Sequence, residues 1–172
     1  MSIKSLMEYT FKSKYARWDS NKLRRETWAE SVDRVRQMMV EKYVDEESDP
    51  EVLKSIDQAY ADMKKKKILG SQRALQFGGS PIFKHNARMY NCISSYIDRV
   101  RFFQECMYLL LCGCGTGFSV QKHHIAKLPN LIKEKIGQKK FVIKDSIEGW
   151  SDAVGVLVSS YFKGSKLFPE YN

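Results

Sequence analysis

The segment from Tyr90 to Val120 constrains this chain more than any other part of its 172 residues. All four cysteines lie inside it, as does the densest cluster of glycines. Cys92 stands in a short β-like run, 90–94, and a compact helical pattern follows. A glycine turn, 113–118, comes next. If the chain carries out chemistry, this segment is the first place to look for it.

Composition indicates a globular protein. A hydrophobic fraction of 43% is enough to build a core. The longest apolar run, Met107–Cys112, is far shorter than a membrane span, and the first residues lack the pattern of a signal peptide. We therefore expect a cytoplasmic protein whose cysteines are thiols.

A formal net charge of +9 favours polyanionic partners, such as nucleic acid, nucleotides or an anionic membrane. The basic residues are scattered over several segments, however, and they do not alternate with aromatic residues as on a platform for single strands. We interpret the lysines at 64–67 and 133–144 as solvated faces. We therefore expect neither nucleic acid nor a membrane as the partner.

Capping signals predict the main helices. Thr27 and Glu30 form a capping-box pattern that predicts a helix over 28–43. Asp49 followed by Pro50 predicts the start of a second helix, which should end near residue 70. Asp98 is expected to cap a helix that ends near residue 112. Another capping pattern, 145–148, predicts a helix that ends near residue 162.

The strands are predicted between these helices. Residues 71–79 read as a short extended segment, and 82–88 read as irregular. Strands are predicted at 89–95, 116–121 and 141–143, whereas 166–172 is predicted to hold no element. Strands separated by helices are typical of an α/β protein.

The cysteines after Cys92 give only weak evidence for a metal-binding site. Cys112 and Cys114 form a C-x-C pair with His123 and His124 nearby, but structural zinc sites show wider spacings and an ordered second pair. We favour Cys106, Cys112 and Cys114 as small buried residues at a point of tight packing. An autonomous zinc or cysteine-redox protein remains an alternative.

Cys92 permits three interpretations: a nucleophile, a redox donor or a core residue. From the cysteine alone, a core position is favoured. The glycine turn lacks the lysine of a phosphate-binding P-loop, and it follows a helix where a dinucleotide-binding fingerprint would follow a strand. We expect it to be a turn at which backbone approaches a ligand closely.

Four segments carry a resemblance to a known family: YARW (15–18) with RRETW (24–28), then RALQFGG (73–79), YNC (90–92) and LCGCGTGFSV (111–120). Taken in order, they resemble the N-terminal part of an adenosylcobalamin-dependent (class II) ribonucleotide reductase of the monomeric, ribonucleoside-triphosphate type. The segments 127–129 and 145–150 continue the resemblance.

The resemblance implies an α/β fold in which N-terminal helices, 1–70, precede the first part of a ten-stranded α/β barrel, 71–172. This portion of the barrel is incomplete on its own. The segment 141–163 is similar to an insertion helix that helps to form the site of a deoxynucleotide effector.

The resemblance also implies roles for particular residues. Cys92 would be one of the two thiols that reduce the ribose of the substrate and end as a disulfide. The effector would be contacted by Asp145, Ser146 and Trp150, and no residue is expected to bind a metal. Substrate contacts are expected at Gln76, Asn91, Gly113, Cys114, Gly115, Thr116 and Gly117.

A complete enzyme of this family is several times longer, and its other catalytic residues lie downstream. We therefore expect the chain to be inactive alone. It would be either one piece of a split enzyme or a truncated remnant, and we favour a split enzyme completed by a second polypeptide that binds most of the adenosylcobalamin. A ribonucleotide substrate and a thioredoxin-like reductant are the other implied partners. The alternative is a non-catalytic basic α/β module that binds nucleotides or nucleic acid.

Overall fold

A computed structural model of the chain describes residues 2–45, 49–132, 139–163 and 167–170. Internal contacts divide it into two compact units, Met1–Met89 and Tyr90–Asn172. The first unit is mostly helical. Its elements are α1 (Ile3–Lys14), β1 (Trp18–Asp19), β2 (Arg24–Arg25), α2 (Trp28–Tyr43), α3 (Pro50–Lys64), α4 (Gln72–Phe77), α5 (Ser80–Lys84) and a 3₁₀ turn (Asn86–Met89).

Local capping determines where the long helices of this unit begin. The side chain of Thr27 accepts a hydrogen bond from the Glu30 N–H, and the Glu30 carboxylate accepts one from the Thr27 N–H. The bounds predicted for this helix, 28–43, are confirmed by α2. The carboxylate of Asp49 likewise accepts from the Glu51 N–H at 2.9 Å and begins α3 as predicted.

The core of the first unit lies between α2 and the segments that follow it. Buried residues from α2, α3, α4 and α5 meet there: Val32, Val35, Met38, Met63, Ala74, Leu75 and Ile82. The predicted division assigned residues 71–89 to the second region, and in the structure these residues pack within the first unit.

The prediction of an extended segment at 71–79 is wrong, because residues 72–77 form α4. The side chain of Ser71 caps this helix by accepting from the Ala74 N–H at 3.3 Å. The helix is short, and what favours it is the burial of Ala74 and Leu75 against the core, which no local pattern reveals. The stretch 82–88, predicted as irregular, likewise contains part of α5 and of the 3₁₀ turn.

A half-buried ion pair links Glu26, which precedes α2, to Arg34 within that helix. The carboxylate of Glu26 accepts two hydrogen bonds from Arg34, at 2.8 and 2.9 Å, and one each from the Ser31 hydroxyl and the Arg17 N–H. Burial opposes ionisation of Glu26, but these hydrogen bonds outweigh burial and hold its pKa below the ordinary value.

The second unit contains two strand–helix–strand segments. The strand β3 pairs with β4 and the strand β5 pairs with β6, both in parallel, and α6 packs against α8. The elements are β3 (Cys92–Tyr96), α6 (Phe102–Leu111), β4 (Gly115–Ser119), α7 (Lys122–Ile125), β5 (Lys139–Val142), α8 (Ile147–Lys163) and β6 (Leu167–Glu170).

Two expectations for this unit need correction. Asp98 does not cap α6: its carboxylate accepts from the Arg99 guanidinium at 2.8 Å, and the helix begins at Phe102. The segment 166–172, predicted to hold no element, contains β6, which only its long-range pairing with β5 reveals. Much of the lysine-rich stretch after residue 130 lies outside the described residues.

The fold is a mixture of helices and strands, as predicted. Its strands form three two-stranded sheets, and no sheet closes on itself within the described residues. The predicted barrel is therefore not confirmed. No helix in the described ranges is both long enough and apolar enough to cross a bilayer.

We predict that Glu26→Gln lowers the free energy of unfolding by about 3 kcal/mol at neutral pH, because it leaves Arg34 without its counter-charge. Urea unfolding followed by circular dichroism measures this value. Since the pKa of Glu26 is lowered in the folded state, its contribution is present above about pH 4.3 and is lost as the pH falls further.

The matched control is Glu51→Gln, which removes an exposed partner of Lys54. Its effect should stay within about 0.5 kcal/mol. Equal losses in the two variants would contradict the structural role given to the Glu26–Arg34 pair.

Candidate functional site

The parallel pair β3–β4 presents one open face. The register sets Cys92 opposite Gly115, Ser94 opposite Gly117 and Tyr96 opposite Ser119. Alternate residues of a strand point to the same side, so these six residues share one face, called the open face below. All of them except Ser119 are exposed.

The opposite face of the pair turns towards α6. The ring of Phe118 meets the ring of Phe102 edge-on, with centroids 5.3 Å apart. Ile93 and Thr116, which face each other across the pair, are half-buried. The open face therefore carries the polar and small side chains of β3–β4, and the apolar packing lies behind it.

The predicted glycine turn is a turn only at Gly113, where φ is 89°. Gly115 and Gly117 belong to β4, and because they lack side chains, they do not obstruct the open face. A Cβ on Gly115 would lie 3.4 Å from the Cys92 Sγ, and a Cβ on Gly117 would meet no atom within 4 Å. The two glycines thus leave space beside the thiol.

Burial separates Cys92 from the other cysteines. Cys112 and Cys114 are 0% and 3% exposed, and Cys106 is half-buried in α6. Cys92 is exposed. The packing role predicted for Cys112 and Cys114 agrees with their burial, whereas the core position favoured for Cys92 from the cysteine alone is wrong.

The predicted substrate contacts fall in both units. Gln76 lies in α4 of the first unit, where its side-chain carbonyl accepts from Arg73 at 3.1 Å. Asn91 is exposed at the start of β3, and its backbone carbonyl accepts from the Gly115 N–H at 2.7 Å. The thiol of Cys114 points to the Tyr90 carbonyl, 3.4 Å away. Contact with a substrate stays a prediction for each of these residues.

The predicted effector residues lie at the start of α8. The hydroxyl of Ser146 accepts from the Gly149 N–H at 3.0 Å, and the Trp150 indole N–H points to the Asp145 carboxylate at 3.5 Å. A Cβ on Gly149 would lie 2.1 Å from the Lys144 carbonyl oxygen, so this tight entry to the helix requires glycine. An effector at these residues stays a prediction.

Sequence reasoning missed a cluster at the carboxyl end of β4. The Nδ1 of His124 lies 2.9 Å from the Ser119 hydroxyl, and its ring lies 4.3 Å from the Tyr96 ring. Burial, followed by the charges of His123 and Lys127, lowers the pKa of His124, which favours its neutral form. In the sequence, the only signal of this cluster was that Ser119 and His124 lie close together in the chain. Tyr96 joins them because the strand register places it opposite Ser119.

A groove of about 510 Å³ lies between α6 and α8, and none of the predicted site residues lines it. Its polar lining includes Arg101, Gln104, Glu105, Tyr108, Glu148 and Asp152. In the described part of the chain, no group of three or more histidine, cysteine or acidic side chains is arranged to hold a metal ion.

No protein-family model and no curated protein matches this chain. Its fold is similar to the crystal structure of a B12-dependent (class II) ribonucleotide reductase, with a TM-score of 0.68 and 17% sequence identity. The similarity covers 95% of this chain and 32% of that one, so this chain spans about a third of that protein's length. The structural resemblance predicted from the sequence is confirmed at the level of the fold.

We predict that Ellman's reagent modifies Cys92 at least about tenfold faster than Cys112 and Cys114 in the folded chain, because burial denies the reagent access to those two thiols. Mass spectrometry of quenched samples identifies the modified residues. Cys92→Ser should remove the fast reaction, whereas Cys106→Ser should retain it. Rapid modification of Cys112 or Cys114 under native conditions would contradict the burial described.

Proposed function

We propose that this chain is the N-terminal part of the catalytic machinery of a ribonucleotide reductase, an oxidoreductase that makes deoxyribonucleotides. The observation that carries the proposal is the position of Cys92, an exposed thiol on the open face of a strand–helix–strand segment. The likeness of the fold to a class II ribonucleotide reductase supports it. The ten-stranded barrel is part of the same proposal.

The reaction needs a pair of thiols. Removing the 2′-hydroxyl of a ribose as water consumes two electrons and two protons, and two thiols supply both when they become a disulfide. In the proposal Cys92 is one of these thiols, and thiyl-radical chemistry elsewhere in the complete enzyme activates the ribose. Cys112 and Cys114 are buried, so they are poorly placed to be the second thiol.

We infer that a second polypeptide supplies the other thiol and the remaining catalytic residues. The chain corresponds to 32% of the length of the structure it matches, which leaves room for such a partner. The sheet edges left unpaired within the described residues support this inference, because parallel sheets are normally extended and covered on both faces. A thioredoxin-like protein would then reduce the disulfide.

The open face suits a sugar. Its thiol and hydroxyls offer polar contacts, and the glycines of β4 let a ligand approach the backbone beside the Cys92 Sγ. Asn91 is exposed next to it and offers an amide. A deoxynucleotide effector near Asp145, Ser146 and Trp150 belongs to the same proposal.

Adenosylcobalamin is the cofactor that the matched enzyme class implies, and when bound it supplies the radical. Within the described residues the open face is two strands wide, too narrow to enclose a group the size of a corrin ring. We therefore assign no cobalamin contact to the described residues and place its binding mainly in the partner polypeptide. What this chain contributes is the thiol and the surface beside it.

Reconstitution with a polypeptide that copurifies with this chain tests the proposal. Cys92→Ser should abolish conversion of ribonucleotide to deoxyribonucleotide while assembly of the complex, measured by size-exclusion chromatography, stays intact. Cys106→Ser, a half-buried cysteine of α6, is the matched control and should retain turnover. If Cys92→Ser left function unchanged, the non-catalytic nucleotide-binding module would be the better interpretation.

A second prediction concerns the surface beside the thiol. Gly117→Ala should leave the melting temperature almost unchanged, because its Cβ would meet no atom within 4 Å. Turnover of the reconstituted enzyme should nevertheless fall about tenfold or more, since the new methyl group would occupy space meant for the substrate. Gly70→Ala, whose Cβ would only touch Met63 at 3.6 Å, is the control and should keep normal turnover. Full activity of Gly117→Ala would contradict a substrate at this face.

A further inference from the structure

The motifs YARW (15–18) and RRETW (24–28) meet in a β-hairpin to which the proposed function gives no role. Trp18 lies directly opposite Arg25 in this hairpin, so the two side chains share one face. Trp18 is 59% exposed. An exposed tryptophan leaves a large apolar area in water, which makes this face a candidate for covering by another molecule.

Ion pairs hold the other face of the hairpin against the start of α2. Arg24 donates two hydrogen bonds to the Glu30 carboxylate, each 2.8 Å long, and Lys22 donates a third at 2.6 Å. The Asp19 carboxylate closes the turn by accepting from the N–H groups of Asn21 and Lys22. These contacts order the hairpin in the free chain, so binding a partner there costs little conformational entropy.

Leu23, at the turn of the hairpin, is both strained and exposed. Its φ of 50° lies in the left-handed region, which asparagine and glycine adopt more readily than leucine does. The side chain is 76% exposed, so burial against the described residues does not offset the strain. A strained residue that presents an apolar side chain to solvent favours a role in binding.

Arg25 gives this part of the hairpin its charge. Its side chain is exposed, and one of its nitrogens donates to the Ala16 carbonyl at 2.8 Å. No carboxylate among the described residues forms an ion pair with it, because the nearby carboxylates of Glu26 and Glu30 are paired with other arginines. A carboxylate from a partner would therefore complement this side chain.

We propose that Trp18, Leu23 and Arg25, called the hairpin surface below, dock an acidic and apolar segment of the second polypeptide; this assignment rests on the proposed function. Apolar side chains of that segment cover Trp18 and Leu23, and one of its carboxylates pairs with Arg25. Tryptophan and arginine are enriched among the residues that dominate binding energy at protein interfaces. Nucleic acid fits less well, because it requires several unpaired cations and both Lys22 and Arg24 are already paired.

Hydroxyl-radical footprinting of the full chain, free and in complex with the polypeptide that copurifies with it, tests the hairpin surface. Mass spectrometry measures the oxidation of each residue. Oxidation of Trp18 and Leu23 should fall about fivefold or more in the complex, because the core of an interface excludes water. Tyr43, which is 60% exposed at the end of α2, is the internal control and should be oxidised equally in both samples.

A complex in which Trp18 and Leu23 react as fast as in the free chain would overturn the proposal. The absence of any polypeptide that assembles with the chain would overturn it as well.

Calorimetry of the complex provides a second test, with the folding of each variant checked by circular dichroism. Leu23→Asn should weaken binding about tenfold or more, yet leave the melting temperature unchanged or raise it, because asparagine suits a positive φ. The matched control is Lys66→Asn, which places asparagine at a residue with φ of 59°. It should change the dissociation constant by no more than about twofold. Equal weakening by the two variants would contradict the hairpin surface.

Titration with single-stranded DNA runs in parallel, and DNA binding that Trp18→Ala abolishes would assign the hairpin surface to nucleic acid and overturn the proposal. Protection and turnover are separate readouts. A protected hairpin surface in a complex without turnover would leave the docking site standing and contradict the proposed function. Turnover in a complex whose hairpin surface is unprotected would do the reverse.

Discussion

The parallel pairing of β3 with β4 is the constraint on which the second unit depends. This pairing places Cys92 opposite Gly115. At the same end of the pair, the Gly115 N–H donates a hydrogen bond of 2.7 Å to the Asn91 carbonyl. A parallel pair needs a crossover, which α6 provides, and the positive φ of Gly113 lets the chain leave that helix for β4. A shift of one residue in β3 would turn the thiol from the open face towards α6.

The first unit depends on a different interaction. There the Glu26–Arg34 pair and the core between α2 and α4 hold α4 in place, and α4 is too short to be stable alone. The same arrangement brings arginines together at the end of α4.

Local capping patterns predicted the starts of α2 and α3 correctly, but the cap expected at Asp98 was wrong, and the elements that depend on long-range contacts were not predicted. The capping box at Thr27 fixed the start of α2, since its donors and acceptors lie within three residues. α4 and β6 escaped prediction because burial and strand pairing, which involve distant residues, determine them. For the site, the order of motifs singled out Cys92, whereas the contact of His124 with Tyr96 depends on strand register and was missed.

The most direct measurement is the fate of the Cys92 thiol in a single turnover. The complex of this chain with its partner polypeptide is fully reduced, freed of external reductant and given ribonucleotide, and its peptides are then mapped by mass spectrometry. The account predicts a disulfide between Cys92 and a cysteine of the partner polypeptide, formed in proportion to the deoxyribonucleotide produced. Product formation with Cys92 still a free thiol would contradict it.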